Sequence, residues 1–90
     1  MEKILLDGAK MFSIEQTHNY LSDKLNFPDY YGKNLDALWD VLTEFSEPVE
    51  IKIINLDQFK ENLGSRAMDF ISIFEDAQNE YSCINLKIEQ

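Results

Sequence analysis

Three carboxylates recur at intervals of four residues in the middle of this 90-residue chain: Asp36, Asp40 and Glu44. Residues four apart in a helix share a face, so the spacing predicts a row of negative charge along one side. Such a row costs a helix roughly 0.2–0.5 kcal/mol per pair. Asp36 would suit the dipole of the first turn, whereas Asp40 lies mid-helix without that compensation. The row is either an ordinary solvated face or a surface for a cationic partner.

Aromatic residues next to this row favour the functional interpretation. Tyr30 and Tyr31 come just before it, and Trp39 flanks it. Aromatic side chains beside charges are typical of recognition surfaces. The competing interpretation is core packing, and we expect one of the two tyrosines to be partly buried and the other exposed.

Residues that could serve other chemistry are few. His18 is the only histidine and Cys83 the only cysteine. His18 falls on the apolar face of a predicted helix, which favours a buried histidine with a hydrogen-bond partner over a general base. Cys83 lacks the cationic neighbour that activates a thiol. One histidine and one cysteine argue against zinc, and we expect neither metal nor cofactor. An acid–base enzyme using Asp36 and Asp40 is the least supported alternative, because such a pair needs a cleft.

Apolar spacing and turn residues predict seven elements that position these side chains. In chain order they are a buried strand at Ile4–Leu6, a helix with a capping box at Ser13 and Gln16, a helix over about Leu35–Phe45 capped by Asn34, a strand at Val49–Ile53, a short helical turn at Asp57–Leu63, a long helix to about Tyr81 that Ser65 can cap, and a strand that begins at Cys83. Helices between strands imply crossovers and hence parallel pairing. We therefore predict one α/β domain, residues 1–90, with three parallel strands and helices packed on one face.

The charge balance restricts the partners. Seventeen acidic and eight basic side chains give a formal net charge of −9. Such a surface repels nucleic acid and anionic lipid and attracts basic partners, although acidity also serves solubility alone. A single cysteine allows no internal disulfide, and no apolar run is long enough for a signal peptide or a membrane span. We expect a cytoplasmic protein that is monomeric when free.

The run from Phe27 to Asp40, FPDYYGKNLDALWD, resembles the signature of the barstar family. Members of that family are intracellular inhibitors of secreted, barnase-type bacterial ribonucleases. The resemblance extends to the Ser13 helix start with His18 and to the Phe74–Glu80 segment. It implies a three-stranded parallel sheet with helices, and a second helix that blocks a basic ribonuclease active site together with the loop before it.

The resemblance also implies roles for single residues. Asp40 would be the chief mimic of an RNA phosphate, and Asp36 would pair with another cation of the enzyme. Tyr30 would pack against the catalytic histidine of the enzyme. Gly32 would let the loop backbone approach closely.

Four more residues would complete this surface. Asn34 and Thr43 would add hydrogen bonds, Trp39 would brace the helix and touch the partner, and Asp76 would add an acidic contact from the long helix. Without the resemblance, Asp76 would be part of a solvated face.

The chain also departs from the family prototype. Glu44 stands where the prototype has glycine, Phe45 replaces a second tryptophan, Asp76 replaces glutamate and Val41 replaces cysteine. We include Glu44 and Phe45 in the expected binding surface. The departures leave open an alternative, a binding module on the same scaffold for another basic protein.

Overall fold

Three parallel strands form the sheet of this computed structural model, which describes residues 2–81 and 83–89. They are β1 (Glu2–Asp7), β2 (Val49–Ile54) and β3 (Ile84–Ile88), with β2 in the centre. The predicted parallel sheet is confirmed. β3 begins at Ile84, one residue after the predicted start at Cys83.

The two faces of the sheet differ in environment. On the inner face Leu6, Ile51 and Ile53 are at most 1% exposed, and the helices cover them. On the outer face Leu5 is 51% exposed, and Lys52 is half-buried. The expectation that the run Ile4–Leu6 is buried as a whole is therefore wrong. Successive side chains of a strand point to opposite faces, so Leu5 must face away from the core.

The first helix, α1 (Ile14–Leu25), begins as the sequence predicts at Ser13. The Ser13 hydroxyl accepts a hydrogen bond from the Gln16 N–H at 3.1 Å. The side chain of Gln16 reaches back one residue further than a standard capping box requires, and its Oε1 accepts from the Phe12 N–H at 2.7 Å. Both bonds satisfy backbone donors at the start of the helix.

The second helix, α2 (Leu35–Leu42), is three residues shorter than predicted. The apolar pattern continues to Phe45, but the backbone does not follow it. The Thr43 hydroxyl donates to the carbonyl oxygens of Trp39, at 2.9 Å, and of Asp40, at 3.1 Å. The Trp39 carbonyl also accepts the Thr43 N–H, whereas the Glu44 N–H donates to the Val41 carbonyl three residues back, so the helical bonding pattern ends at Thr43, well before Pro48.

The predicted turn at Asp57–Leu63 is a complete helix, α3 (Leu56–Leu63). Leu56 and Phe59 are buried and give it a packed face. The last helix is α4 (Arg66–Glu80). Gly64 separates the two with a φ of 64°, which favours glycine.

Ser65 does not cap α4 with its side chain, contrary to the sequence prediction. Its backbone is already helical, with φ −61° and ψ −20°, whereas an N-cap residue needs an extended backbone to direct its hydroxyl.

A 3-10 turn at Gly8–Lys10 follows β1 and has no counterpart in the sequence prediction. Asp7 holds it by accepting bonds from the Asn55 side chain and the Ala9 N–H, both at 2.9 Å. These two donors, the Asn55 amide foremost, hold the pKa of Asp7 below its usual range.

One hydrophobic core lies between the sheet and the helices. Its largest fully buried side chains include Phe59, Phe74, Leu21, Leu38 and Leu42. The longest helix in the described part of the chain, α4, has 15 residues, and none of the helices there is long and apolar enough to cross a bilayer.

Candidate functional site

The loop between α1 and α2, residues 26–34, has two buried aromatic residues among mostly exposed ones. Phe27 and Tyr31 are buried, and their rings pack at a centroid distance of 4.8 Å. Tyr30, between them, is 79% exposed. The expectation of one buried and one exposed tyrosine is confirmed. The two anchors hold the loop against the core so that the ring of Tyr30 faces solvent.

Tyr31 is hydrogen-bonded to His18 across 13 residues of sequence. The Tyr31 hydroxyl lies 2.6 Å from His18 Nδ1, in a buried environment. Burial and, second, the positive charge of Lys33 lower the pKa of His18, and burial raises the pKa of Tyr31 to about 12. Neutral His18 can therefore accept a hydrogen bond at Nδ1 from the Tyr31 hydroxyl, which keeps its proton. The prediction of a buried histidine with a hydrogen-bond partner is confirmed.

The end of the loop sets the start of α2. Asn34 caps the helix as predicted, with Oδ1 accepting from the Ala37 N–H at 2.8 Å. Its Nδ2 donates to the Gly32 carbonyl at 3.3 Å. Lys33, between them, has a φ of 55°, in the left-handed region. This turn links the backbone of the loop to the first turn of α2.

Gly32 is exposed, and its φ is not positive. A Cβ at this position would lie 3.4 Å from both Ala37 Cβ and Asn34 Nδ2, at the short end of ordinary contact. Neither the backbone nor internal packing demands glycine here.

Two of the three carboxylates share a helical face. Asp36 and Asp40 are both exposed on α2, one turn and about 6 Å of helix rise apart. Glu44 is exposed but lies beyond the end of the helix, where its N–H donates to the Val41 carbonyl at 3.3 Å. The predicted helical row of three is therefore wrong at its third member, because Thr43 ends α2 first.

Trp39 contacts the end of the long helix, on which Asp76 lies. Trp39 is half-buried, and its ring lies edge-on to Tyr81 at 6.0 Å. Asp76 is exposed on α4, which packs against α2. Thr43 is half-buried and directs its hydroxyl proton to the end of α2, as described above.

Phe45 is half-buried and packs against the core. It borders a small cavity of about 150 Å³ that Glu44, Val41 and the start of the loop also line. Phe45 and Glu44 therefore lie next to the loop as well as at the end of α2.

The carboxylates of this region form no internal ion pair in residues 2–81 and 83–89. The ion pairs described there are Lys52–Glu89, at 3.3 Å, and Lys87–Glu50, at 3.4 Å, both on the outer face of the sheet. The same residues contain no group of three or more side chains arranged to hold a metal ion. The charge on α2 is thus available to an external cation or cationic protein.

A larger cavity, of about 390 Å³, opens beside the start of α2. Its lining combines apolar side chains of α1, α2 and α4 with His18, Lys33, Asp36, Arg66 and Asp69. Asp36 thus borders this cavity, whereas Asp40 lies outside its lining. The two carboxylates do not face each other across it, which speaks against a paired acid–base mechanism.

Sequence reasoning missed one connection in this region, the bond between His18 and Tyr31. Apolar spacing placed His18 on the inner face of α1, and the paired tyrosines indicated one buried member. Neither signal indicated that the two buried polar groups meet, because contacts across 13 residues depend on how α1 and the loop pack.

Comparison with known proteins identifies a family for this chain. The family model described as "Barstar (barnase inhibitor)" matches residues 1–89. The Bacillus subtilis (strain 168) protein named "Putative ribonuclease inhibitor YrdF" is 46% identical over 81 residues, which is 89% of each chain. The fold, with three parallel strands and four α-helices, agrees with that family. The chain belongs to the barstar family.

Proposed function

We propose that this protein inhibits a basic, barnase-type ribonuclease by inserting α2 and the preceding loop into its active site. The binding face consists of ten residues: Tyr30, Gly32, Asn34, Asp36, Trp39, Asp40, Thr43, Glu44, Phe45 and Asp76. The observation that carries the proposal is the pair of exposed carboxylates on α2, which have no internal ion pair in the described residues of a barstar-family chain.

The chemistry of the target explains the acidic face. A ribonuclease must bind RNA phosphates, so its active site carries arginine, lysine or histidine side chains. A carboxylate offers the same cations a planar, charged acceptor of hydrogen bonds. Asp40 is the main phosphate mimic in this proposal, and Asp36 pairs with a second cation. The inhibitor performs no chemistry, because it occupies the site where the substrate phosphate would bind.

The loop supplies shape to this interaction. Tyr30 projects from a backbone that Phe27 and Tyr31 anchor, so its ring can pack against the enzyme at little cost in conformational entropy. Gly32 leaves space for close approach of the enzyme.

We further propose that the inhibitor acts in the cytoplasm on an enzyme destined for export.

The test is titration of several basic, barnase-type ribonucleases with the purified protein. We expect loss of RNA cleavage at a stoichiometry near one to one, with affinity that decreases as salt is added. Retention of full activity by every enzyme at a micromolar excess of the protein would reject the proposal.

A second candidate is a binding module for another basic protein on the same scaffold. Glu44 and Phe45 favour it, since both lie at the end of α2 beside the loop and differ from the family prototype. Capture of partners from the source cell with the immobilised protein separates the two candidates. Recovery of a ribonuclease would reject the second.

A further inference from the structure

The hydrogen bond between His18 and Tyr31 joins α1 to the loop before α2. Within the described ranges, 2–81 and 83–89, it is the only side-chain hydrogen bond from residues 27–34 to α1 or α4. The two side chains are 2% and 7% exposed, respectively. A buried bond of this kind is costly to break, because the freed groups cannot bond water instead.

Aromatic packing fixes the directions of both rings. The His18 ring lies 5.0 Å from the Phe70 ring of α4 and 5.7 Å from the Tyr31 ring. Phe27 packs on the other side of Tyr31. Since α1 and α4 both hold His18, the imidazole is a fixed point to which the loop attaches.

The remainder of the loop has little other support. Its backbone makes a turn in which the Tyr31 N–H donates to the Pro28 carbonyl at 3.0 Å, and Lys33 adopts a left-handed conformation. The cavity of about 390 Å³ lies beside His18, Lys33 and Asn34, so side-chain packing does not fill that side. The Asn34 side chain ties Gly32 to the start of α2, whereas the position of Tyr30 and Tyr31 relative to α1 depends on where the Tyr31 side chain is held.

We propose that His18 and Tyr31 are positioning residues for inhibition: their hydrogen bond fixes the loop so that Tyr30 and Gly32 are presented in the conformation that binds the enzyme. This inference rests on the proposed function. Neither residue needs to touch the enzyme. Without the bond, the loop samples other conformations, and the apparent affinity falls by the fraction of molecules that remain competent to bind.

The chain offers a matched pair of variants for the test. Tyr31→Phe removes the hydroxyl that bonds His18 and keeps the ring. Tyr20→Phe removes a hydroxyl that accepts from the Asp7 N–H at 2.9 Å, between α1 and β1. Each variant loses one tertiary hydrogen bond, but Tyr20 lies outside the loop and the proposed binding face.

Two measurements are made on both variants and the wild type. Amide hydrogen exchange, without enzyme, reports how often the Tyr31 N–H leaves the Pro28 carbonyl. Titration of a barnase-type ribonuclease reports the dissociation constant. For Tyr31→Phe we expect faster exchange of the N–H of residue 31 and a dissociation constant raised about two- to tenfold, the size expected for one net hydrogen bond. For Tyr20→Phe we expect neither change.

Unchanged exchange of the N–H of residue 31 in Tyr31→Phe would overturn the inference, as would equal losses of affinity in the two variants. The second result would mean that the bond only adds to global stability. If the wild-type protein bound no ribonuclease, the proposed function would fail, and the exchange measurement would still decide whether the bond positions the loop.

Discussion

Tyr30 and Tyr31 are adjacent, chemically identical residues in opposite environments. Tyr31 is buried and bonded to His18, while Tyr30 is 79% exposed. Gly32 follows with no internal reason to be glycine. In the proposed complex, Tyr31 anchors the loop, Tyr30 contacts the enzyme and Gly32 leaves clearance for it, and each role predicts a different response to substitution.

Gly32→Ala should leave the fold intact and weaken inhibition. The new Cβ meets its neighbours at 3.4 Å, so we expect the free energy of unfolding to change by no more than about 0.5 kcal/mol. In the proposed complex the added methyl group would hinder the close approach of the enzyme to the loop, and we expect the dissociation constant to rise at least tenfold. Urea unfolding and inhibition titration measure the two effects.

Gly8→Ala is the matched control. A Cβ there would lie 2.3 Å from the Asn55 carbonyl oxygen and 2.9 Å from Phe59 Cβ. We expect a loss of stability of about 1–3 kcal/mol or more, and unchanged affinity of the folded fraction. A Gly32→Ala variant that inhibits like the wild type would contradict the role given to Gly32.

His18 should make stability depend on pH below neutrality. Its folded pKa is lower than the value of about 6.5 expected in the unfolded chain, so the unfolded state binds more protons in this range. Stability is therefore complete above about pH 6.5 and falls as the pH decreases towards the folded pKa. Urea midpoints between pH 7 and pH 5.5 measure this slope.

His18→Gln provides the comparison, because glutamine does not titrate. We expect its free energy of unfolding to be nearly constant over the same interval. The pKa of Asp7 lies below its ordinary value of 3.8, so this carboxyl contributes only at lower pH. Equal slopes in the two proteins would show that His18 is not the group responsible.

At the scale of elements, sequence reasoning succeeded where local chemistry decides and failed where packing does. Ser13 and Asn34 cap α1 and α2 through their own side chains, and both helix starts were predictable. The parallel sheet was predictable from the order of helices and strands. The end of α2 was not predictable in this way. The apolar pattern continues to Phe45, whereas the helix ends at Leu42 and is capped by Thr43.

The missed features have the same origin. The segment Leu56–Leu63 is a full helix because Leu56 and Phe59 find buried contacts, which a short apolar pattern does not reveal. In the candidate site, the exposed carboxylates and the exposed tyrosine were predictable from spacing and neighbours. The bond that holds the loop was not, because it requires the packed position of α1.

The N-caps of α1 and α2 allow the effect of a cap on stability to be separated from its effect on binding. Asn34→Ala and Ser13→Ala each remove one N-cap, and we expect each to lower the free energy of unfolding by about 0.5–2 kcal/mol. Only Asn34 also bonds the Gly32 carbonyl and belongs to the proposed binding face. Inhibition titrations should therefore show weaker binding for Asn34→Ala alone. Equal affinity of the two variants would contradict this.

At the scale of the molecule, charge is unevenly distributed. Lys52 and Lys87, both in ion pairs, lie on the outer face of the sheet, whereas the helices cover the inner face and α2 carries exposed carboxylates. The net charge of −9 adds a long-range attraction for a basic enzyme. The fold thus keeps these two lysines away from the surface proposed to bind, whereas Lys33 is exposed within the loop of that surface.

This arrangement predicts an association rate that depends on salt. Between about 0.01 M and 1 M ionic strength the screening length falls from roughly 30 Å to 3 Å, so steering should be lost. We expect the association rate constant for a basic ribonuclease to fall by about tenfold or more, with a smaller change in the dissociation rate constant. Stopped-flow mixing measures the association rate constant. An association rate independent of salt would contradict electrostatic steering.

The most direct test of phosphate mimicry compares Asp40→Ala with Glu61→Ala. Each removes one negative charge from an exposed helical position, but Glu61 lies on α3, whose main contacts are with the 3-10 turn and α4. In titrations of a barnase-type ribonuclease, Asp40→Ala should weaken binding by about 2–5 kcal/mol, and Glu61→Ala should leave it nearly unchanged. Similar affinities for the two variants would contradict the claim that Asp40 occupies the phosphate site of the enzyme.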